Sequence, residues 1–250
     1  MARGTAVELA GWTRSAFAAA GLERTVYRRG TGPCVVVVHE IPGITPKVLR
    51  FAEEVVDRGF TVVMPDLVGT PGREPGGKYL ASSLLKVCVA REFTTLAMNR
   101  TSPVISWLRA LARQVHGEVG GRGVGAVGMC FSGGFALGMM VDDIMVAPVL
   151  SQPSLPFPVG KERGRALGVS DADAAVIAQR AADGCQVLGL RFDKDRAVGD
   201  RFSSLRELLG DAFVAVELKS TKPSDHSVLT EQRDEESVRR VLDFFVEKLL

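Results

Sequence analysis

One cysteine of the chain, Cys130, stands in a setting that suits nucleophilic chemistry. It is the central residue of the run GMCFS at positions 128–132, directly after an apolar stretch and directly before a helical run that starts at Phe135. A strand-to-helix turn this tight needs small residues two positions before and after its central side chain, and Gly128 and Ser132 supply them. The turn and the helix N-terminus that follows favour negative charge on the central residue. The motif therefore predicts a thiolate nucleophile at Cys130, with the Ser132 hydroxyl as the second candidate.

A nucleophile of this kind needs a base, and the sequence contains three histidines. His226 lies in a polar stretch between the last apolar run and the last helical segment, where hydrolase triads place their base. His116 stands near the end of a helical segment, where an imidazole complements the helix dipole, and His39 ends an apolar run. We therefore expect the base to be His226 and the other two histidines to be structural.

The acid that orients the base is expected in a loop after a strand, between the nucleophile and the histidine. The segment that follows the apolar run at 186–190 offers two carboxylates, Asp193 and Asp195. Asp195 lies deeper in the loop, and the chain order Cys130, Asp195, His226 is the hydrolase order of nucleophile, acid and base. We favour Asp195 over Asp193.

Short apolar runs alternate with helical segments, which predicts an α/β fold with a mostly parallel central sheet and helices on both faces. The runs expected to form strands are 35–38, 60–64, 123–128, 144–149, 186–190 and 212–218. Helices are expected to begin at Thr45-Pro46, Ser102-Pro103 and Ser170, and an amphipathic helix carrying apolar residues from Val238 to Leu249 closes the chain. The Pro- and Gly-containing segments 69–77 and 151–168 are expected to be loops over one end of the sheet, within one domain over residues 1–250.

Composition excludes several classes of function. The 250 residues are 46% hydrophobic, and 31 Lys and Arg against 29 Asp and Glu give a net charge of only +2, which does not suit a nucleic-acid partner. No apolar stretch approaches the roughly 20 residues that span a bilayer, and the start lacks the pattern of a signal peptide, so no membrane association and a cytoplasmic location are expected. The four cysteines are dispersed without metal-ligand spacing. A GxGxxG pattern at 123–128 lies inside a predicted strand and is not read as a nucleotide site, so neither metal nor cofactor is expected.

Five segments together resemble the dienelactone hydrolase family, in register along nearly the whole chain. Each segment is a short motif that would be weak evidence alone, and the resemblance depends on all five together. They are His39-Glu40-Ile41-Pro42-Gly43, Pro65-Asp66-Leu67, the elbow around Cys130, Asp195-Arg196-Ala197-Val198 and Asp225-His226-Ser227.

This resemblance implies an α/β-hydrolase fold and a triad of Cys130, Asp195 and His226. It implies that the backbone N–H groups of Ile41 and Phe131 form the oxyanion hole. The expected activity is that of a carboxylic ester or lactone hydrolase of the carboxymethylenebutenolidase type, acting on a small molecule as a monomer or homodimer. The alternatives are a non-catalytic binding protein with the hydrolase fold, or a thiol redox or stress protein that uses Cys130.

Three further positions have roles that the resemblance implies or puts in question. Glu40 is implied to approach the thiol in the resting state and to control its protonation. Of the two arginines with which the family enzyme holds the carboxylate of dienelactone, one corresponds to Arg91, whereas Thr230 occupies the region of the other. The missing arginine argues against dienelactone itself as the substrate.

Overall fold

The computed structural model describes residues 7–89, 102–158 and 160–250. In this part of the chain an eight-stranded sheet forms the centre of the molecule. Its strands are β1 (Thr13–Ala19), β2 (Leu22–Arg29), β3 (Cys34–Val38), β4 (Thr61–Pro65), β5 (Val124–Met129), β6 (Met145–Ser151), β7 (Val187–Phe192) and β8 (Phe213–Leu218).

The strand order is β1-β2-β4-β3-β5-β6-β7-β8. The pairs β1·β2 and β2·β4 are antiparallel, and the pairs from β4 through β3, β5, β6 and β7 to β8 are parallel. This confirms the predicted α/β architecture with a mostly parallel sheet. Because the parallel strands run in one direction, the loops that follow β3, β5, β6, β7 and β8 all lie at one edge of the sheet.

The helices described are α1 (Pro46–Asp57), α2 (Gly77–Val89), α3 (Pro103–Val119), α4 (Phe135–Met139), α5 (Lys161–Arg165), α6 (Asp171–Ala182), α7 (Arg201–Leu209) and α8 (Glu235–Leu249). The expected caps are present: the side chains of Thr45, Ser102 and Ser170 accept hydrogen bonds from backbone N–H groups in the first turns of α1, α3 and α6. Within the described residues, no helix is both long and apolar enough to cross a bilayer.

The sheet separates two hydrophobic cores, as the alternation of β3 illustrates. Val36 and Val38 belong to a buried cluster that includes Trp107 of α3, whereas Val35 and Val37 belong to the cluster on the other face, with α1 and α8. Every residue of β3 is buried. A strand covered on both faces reads as a continuous apolar run, which is why the sequence pattern identified it.

Two features differ from the expectations, and a third agrees with them. The hairpin of β1 and β2 was not predicted, because β1 is mostly exposed and neither strand is a continuous apolar run, although Ala20 (φ 49°) and Gly21 (φ 75°) form the positive-φ turn that suits a two-residue hairpin. The segment 151–168 is not only a loop, since it contains the short helix α5. As expected, the GxGxxG pattern lies in and just before β5: Gly125 and Gly128 belong to the strand, and none of the three glycines opens a helix.

Candidate active site

Cys130 lies at the carboxyl end of β5, in the tight turn that the sequence predicted. Its φ is 56°, a left-handed conformation that costs a non-glycine residue of the order of 1–3 kcal/mol. A 3₁₀ turn over Cys130–Ser132 leads into α4. A Cβ atom on Gly128 would lie 2.0 Å from the backbone oxygen of Ser132, so the chain needs a glycine there. At this turn Cys130 is only partly buried.

The Ser132 hydroxyl fastens this turn to β3. It accepts a hydrogen bond from the Met129 N–H at 2.9 Å and lies 3.0 Å from the His39 carbonyl and 3.1 Å from the Val38 carbonyl. The side chain is fully buried. The contacts of the Ser132 hydroxyl are therefore structural, and the geometry favours Cys130 over this second candidate nucleophile.

His226 and Asp195 meet beside the turn, although 31 residues separate them in the chain. The Nδ1 atom of His226 lies 2.6 Å from Oδ2 of Asp195. The other carboxylate oxygen of Asp195 accepts the Ala197 N–H at 2.9 Å, which holds the carboxylate in place. Asp195 is buried and His226 is partly buried, so the pair is largely shielded from solvent.

Asp193, the alternative acid, has different partners. Its carboxylate accepts the Ser220 N–H at 2.9 Å and lies 3.1 Å from Nζ of Lys219. These contacts lower its pKa to about 2, the backbone hydrogen bond from Ser220 contributing most. The structure thus brings Asp195, and not Asp193, to His226.

The imidazole of His226 also interacts with Cys130. Burial alone lowers the pKa of His226, but hydrogen bonds to Asp195 and Cys130, together with the negative charges of those groups, outweigh burial and raise it well above its usual range. Because Nδ1 contacts Asp195, Nε2 is the ring nitrogen that is left to exchange a proton with Cys130. The arrangement favours an imidazolium next to a negatively charged partner.

A residue that the sequence analysis missed contacts the sulfur directly. The hydroxyl of Ser154 donates to Sγ of Cys130 at 3.4 Å, and the Ser154 N–H donates to the Cys130 carbonyl at 3.0 Å. Ser154 is buried and lies in the loop after β6. The sequence did contain a signal for Ser154. The run SQPS at 151–154 comes directly after a run of apolar residues, at the functional edge of the sheet.

Glu40 is buried just after β3 and is therefore not a solvated surface carboxylate. It accepts hydrogen bonds from the hydroxyls of Ser227, at 2.7 Å, and Thr230, and from Nε2 of Gln152 at 3.3 Å. Burial raises the pKa of Glu40 in spite of these donors. Its oxygens thus accept hydrogen bonds from neutral groups, while the sulfur of Cys130 accepts one from Ser154.

The other predicted site residues have mixed outcomes. Ile41 lines the same cleft as Cys130, and Phe131 follows Cys130 in the 3₁₀ turn, so both lie at the correct edge of the sheet. Their role as oxyanion donors stays a prediction. Arg91 lies outside the described residues.

A buried arginine, also missed from the sequence, organises the loop that carries Asp195. The guanidinium of Arg201 donates to the carbonyls of Ala197 and Val198 and, across the structure, to those of Arg163 and Ala166. Burial lowers its pKa to about 10, and the charge of Asp195 opposes this shift. Arg201 therefore ties the acid loop to the segment around α5.

The candidate residues open into a cleft of about 450 Å³ at the carboxyl edge of the sheet. Its lining combines polar and apolar side chains, as expected of a small-molecule site. The lining residues are Glu40, Ile41, Pro42, Thr45, Pro75, Leu80, Cys130, Ser154, Phe157, Ala197, Ser224, His226, Ser227, Glu231 and Gln232.

Solved structures share this architecture. A candidate dienelactone hydrolase from Klebsiella pneumoniae superposes with a TM-score of 0.63 at 19% identity, over 95% of this chain and 97% of that one. A cold-adapted esterase from an Arctic intertidal metagenomic library gives 0.60 at 16% identity over 99% of both chains, and an esterase from Pyrococcus furiosus gives 0.63 at 12% over 96% and 92%. At these identities the likeness establishes the fold.

The family comparison covers almost the whole chain. The model of the dienelactone hydrolase family matches residues 22–249. A search of curated proteins finds no match. The chain therefore belongs to the dienelactone hydrolase family and has the α/β-hydrolase fold of an ester hydrolase.

Proposed function

We propose that this protein hydrolyses activated carboxylic esters or lactones through a covalent thioester on Cys130. The observation that carries the proposal is the 2.6 Å contact between Asp195 and His226 in a cleft that Cys130 also lines, from a strained turn. This is the geometry of a nucleophile, a base and an orienting acid. The esterases among the similar structures support the same class of reaction.

The proposed reaction has two halves. The Cys130 thiolate attacks the carbonyl carbon, and the N–H groups of Ile41 and Phe131 stabilise the oxyanion. The carbon–oxygen bond of the ester then breaks, and His226 gives its proton to the departing alcohol or enol. Water, deprotonated by His226, next attacks the thioester, so that the carbon–sulfur bond breaks and the free acid leaves.

The nucleophile limits the range of substrates. A thiolate leaves the tetrahedral intermediate more readily than an ordinary alkoxide does, so the forward reaction needs a good leaving group. We expect enol lactones, aryl esters and thioesters to react, and plain alkyl esters and amides to react poorly. Glu40 is proposed to help control the protonation of the resting thiol.

The test compares Cys130→Ala with the wild type on a p-nitrophenyl ester. We expect Cys130→Ala to lose at least about 10³-fold in kcat/KM without loss of fold, because the turn accepts a small side chain and only the nucleophile is removed. Mass spectrometry of the wild type should detect an acyl group on the peptide that contains Cys130. Cys185→Ala, which removes a partly buried thiol elsewhere, is the matched control and should keep full activity.

Other results would favour the alternative functions. Ligand binding without turnover or acyl-enzyme would indicate a binding protein. Reversible oxidation of Cys130 without acylation would indicate a redox protein.

A further inference from the structure

We propose that two glutamines, Gln232 and Gln152, are positioning residues that hold the loop carrying His226 by accepting hydrogen bonds from its backbone N–H groups. The inference deepens the ester hydrolysis proposed above and rests on the role of His226 in that reaction.

Glutamine side chains accept the N–H groups of three successive residues of this loop. Oε1 of Gln232 accepts the N–H groups of His226 at 3.2 Å and of Ser227 at 2.9 Å. Oε1 of Gln152 accepts the N–H group of Val228 at 3.4 Å. The three residues belong to neither a helix nor a strand. The two side chains therefore replace the backbone partners that regular secondary structure would supply.

The donors determine which way each side-chain amide points. A backbone N–H needs an acceptor, so the oxygen of each glutamine, and not its nitrogen, must contact the loop. The nitrogen of the Gln152 amide has a suitable partner in turn, because Nε2 donates to Oε2 of Glu40 at 3.3 Å. The Ser227 hydroxyl donates to the same carboxylate oxygen at 2.7 Å. Gln152 and Glu40 thus hold the loop from its buried side.

The backbone of Gln152 is strained at the position from which its side chain reaches the loop. Gln152 is fully buried directly after β6, and its φ of 35° is a left-handed conformation that a residue with a Cβ atom rarely adopts. Its N–H donates to the Leu190 carbonyl of β7 at 2.7 Å. Strain of this kind persists where the surrounding structure requires it, and it concentrates at functional sites.

Gln232 approaches the loop from the opposite, exposed side, where it also lines the cleft. Its own N–H donates to the Ser227 carbonyl at 3.0 Å, so backbone and side chain of one residue together close the segment 227–232. Because Gln232 is exposed, its replacement removes little packing from the core. A variant at this position should therefore change the loop without unfolding the protein.

The placement of the loop matters because His226 must meet two groups at once. Its Nδ1 lies 2.6 Å from Asp195, and its ring also interacts with Cys130. A misplacement of about 1 Å at a reacting group can reduce the rate by about 10²-fold. Asp195 orients the imidazole, whereas the backbone contacts of residues 226–228 determine where that imidazole is attached.

The experiment compares two replacements of Gln232 on a p-nitrophenyl ester. Gln232→Met keeps the approximate length of the side chain and removes the acceptor, whereas Gln232→Glu keeps an acceptor oxygen. We expect Gln232→Met to lose about tenfold in kcat/KM and Gln232→Glu to stay within about threefold of the wild type. Gln179→Met makes the same change at an exposed position of α6, and this matched control should keep full activity.

Alkylation of Cys130 provides a readout that needs no substrate. A displaced imidazolium stabilises the thiolate less, so the pH midpoint of iodoacetamide alkylation should be about one unit higher in Gln232→Met than in the wild type. Gln152→Met, the same replacement on the buried side of the loop, should change both kcat/KM and the midpoint in the same direction. Gln179→Met should reproduce the wild-type profile.

The outcomes separate this inference from the proposed function. Wild-type kcat/KM and a superimposable alkylation profile in Gln232→Met or Gln152→Met would overturn the inference even if the free energy of unfolding fell, because that glutamine would then be only structural. Equal losses in Gln232→Met and Gln232→Glu would also overturn it, since the missing acceptor would not be the cause. If the wild type showed no Cys130-dependent hydrolysis, the proposed function would fail, and the alkylation profiles would still decide whether the glutamines place His226.

Discussion

Asp195 and Asp193 belong to one loop, yet they have unlike partners. Asp195 contacts Nδ1 of His226, whereas Asp193 binds Ser220 and Lys219. Asp195→Asn should therefore reduce kcat/KM on a p-nitrophenyl ester by about 10²–10⁴-fold, because the amide no longer holds the imidazole in the reactive tautomer. Asp193→Asn is the matched control, with an expected change of less than about threefold.

The two variants should be compared at equal folded fraction, since Asp193 supports the start of the next loop. If both lost activity to the same small extent, the acid would remain unassigned. A larger loss in Asp193→Asn would reverse the assignment.

Ser154 makes a second testable contact at the scale of single residues, because its hydroxyl donates to the Cys130 sulfur. A donor of this kind stabilises the thiolate more than the thiol. In Ser154→Ala the rate of Cys130 alkylation by iodoacetamide should therefore rise with pH at a midpoint about one unit higher than in the wild type. A purely structural serine would lower the free energy of unfolding and leave the alkylation profile superimposable on that of the wild type.

At the scale of elements, the passage from β5 through the 3₁₀ turn to α4 determines where the nucleophile stands. A Cβ atom at Gly128 would lie 2.0 Å from the Ser132 oxygen, and at Gly134 the nearest such atom is the Leu167 oxygen, at 3.5 Å. Gly128→Ala should therefore lower the free energy of unfolding by about 2–4 kcal/mol in a urea titration, because the backbone of the turn must shift to make room for the added Cβ atom. Gly134→Ala, the matched control, should change it by less than about 1 kcal/mol.

Activity provides a second readout for the same element. The displaced turn in Gly128→Ala should also lose most ester hydrolysis, since Cys130 would no longer face His226. A Gly128→Ala protein with wild-type stability and rate would contradict the steric account of the turn.

At the scale of the whole molecule, His39 links stability to pH. Its Nδ1 donates to the Glu40 carbonyl at 2.8 Å, and its Nε2 accepts the Leu67 N–H at 3.1 Å. This pattern requires a neutral ring, and burial lowers the pKa of His39 to about 4. The folded pKa lies below the unfolded value, so this stabilisation is complete above about pH 6.5 and is lost as the pH falls towards 4.

The comparison of wild type with His39→Asn isolates this contribution. The difference between their free energies of unfolding should shrink by up to about 3 kcal/mol between pH 7.5 and pH 4.5, because the titration occurs only in the wild type. Urea titrations at several pH values measure it. A difference that did not change with pH would mean that the His39 ring has the same pKa in the folded and the unfolded protein, which would contradict this account.

The sequence alone determined the architecture and the chemical types at the site. The runs that became β3 and β5 are continuous and apolar because those strands are covered on both faces, and such runs need no tertiary information to be recognised. Cys130, likewise, was identifiable because the strand-to-helix turn imposes small residues at fixed positions. The hairpin of β1 and β2 was missed because its strands are only partly buried and contain no continuous apolar run.

Only the tertiary structure decided which side chains meet. Asp195 reaches His226 across 31 residues, Ser154 reaches Cys130 across 24, and Thr230 reaches Glu40 across 190. The parallel sheet brings the ends of separate strands to one edge, so neighbours there are distant in the chain and leave no periodic signal. The choice between Asp195 and Asp193, and the neutral surroundings of Glu40, depend on this convergence of loops.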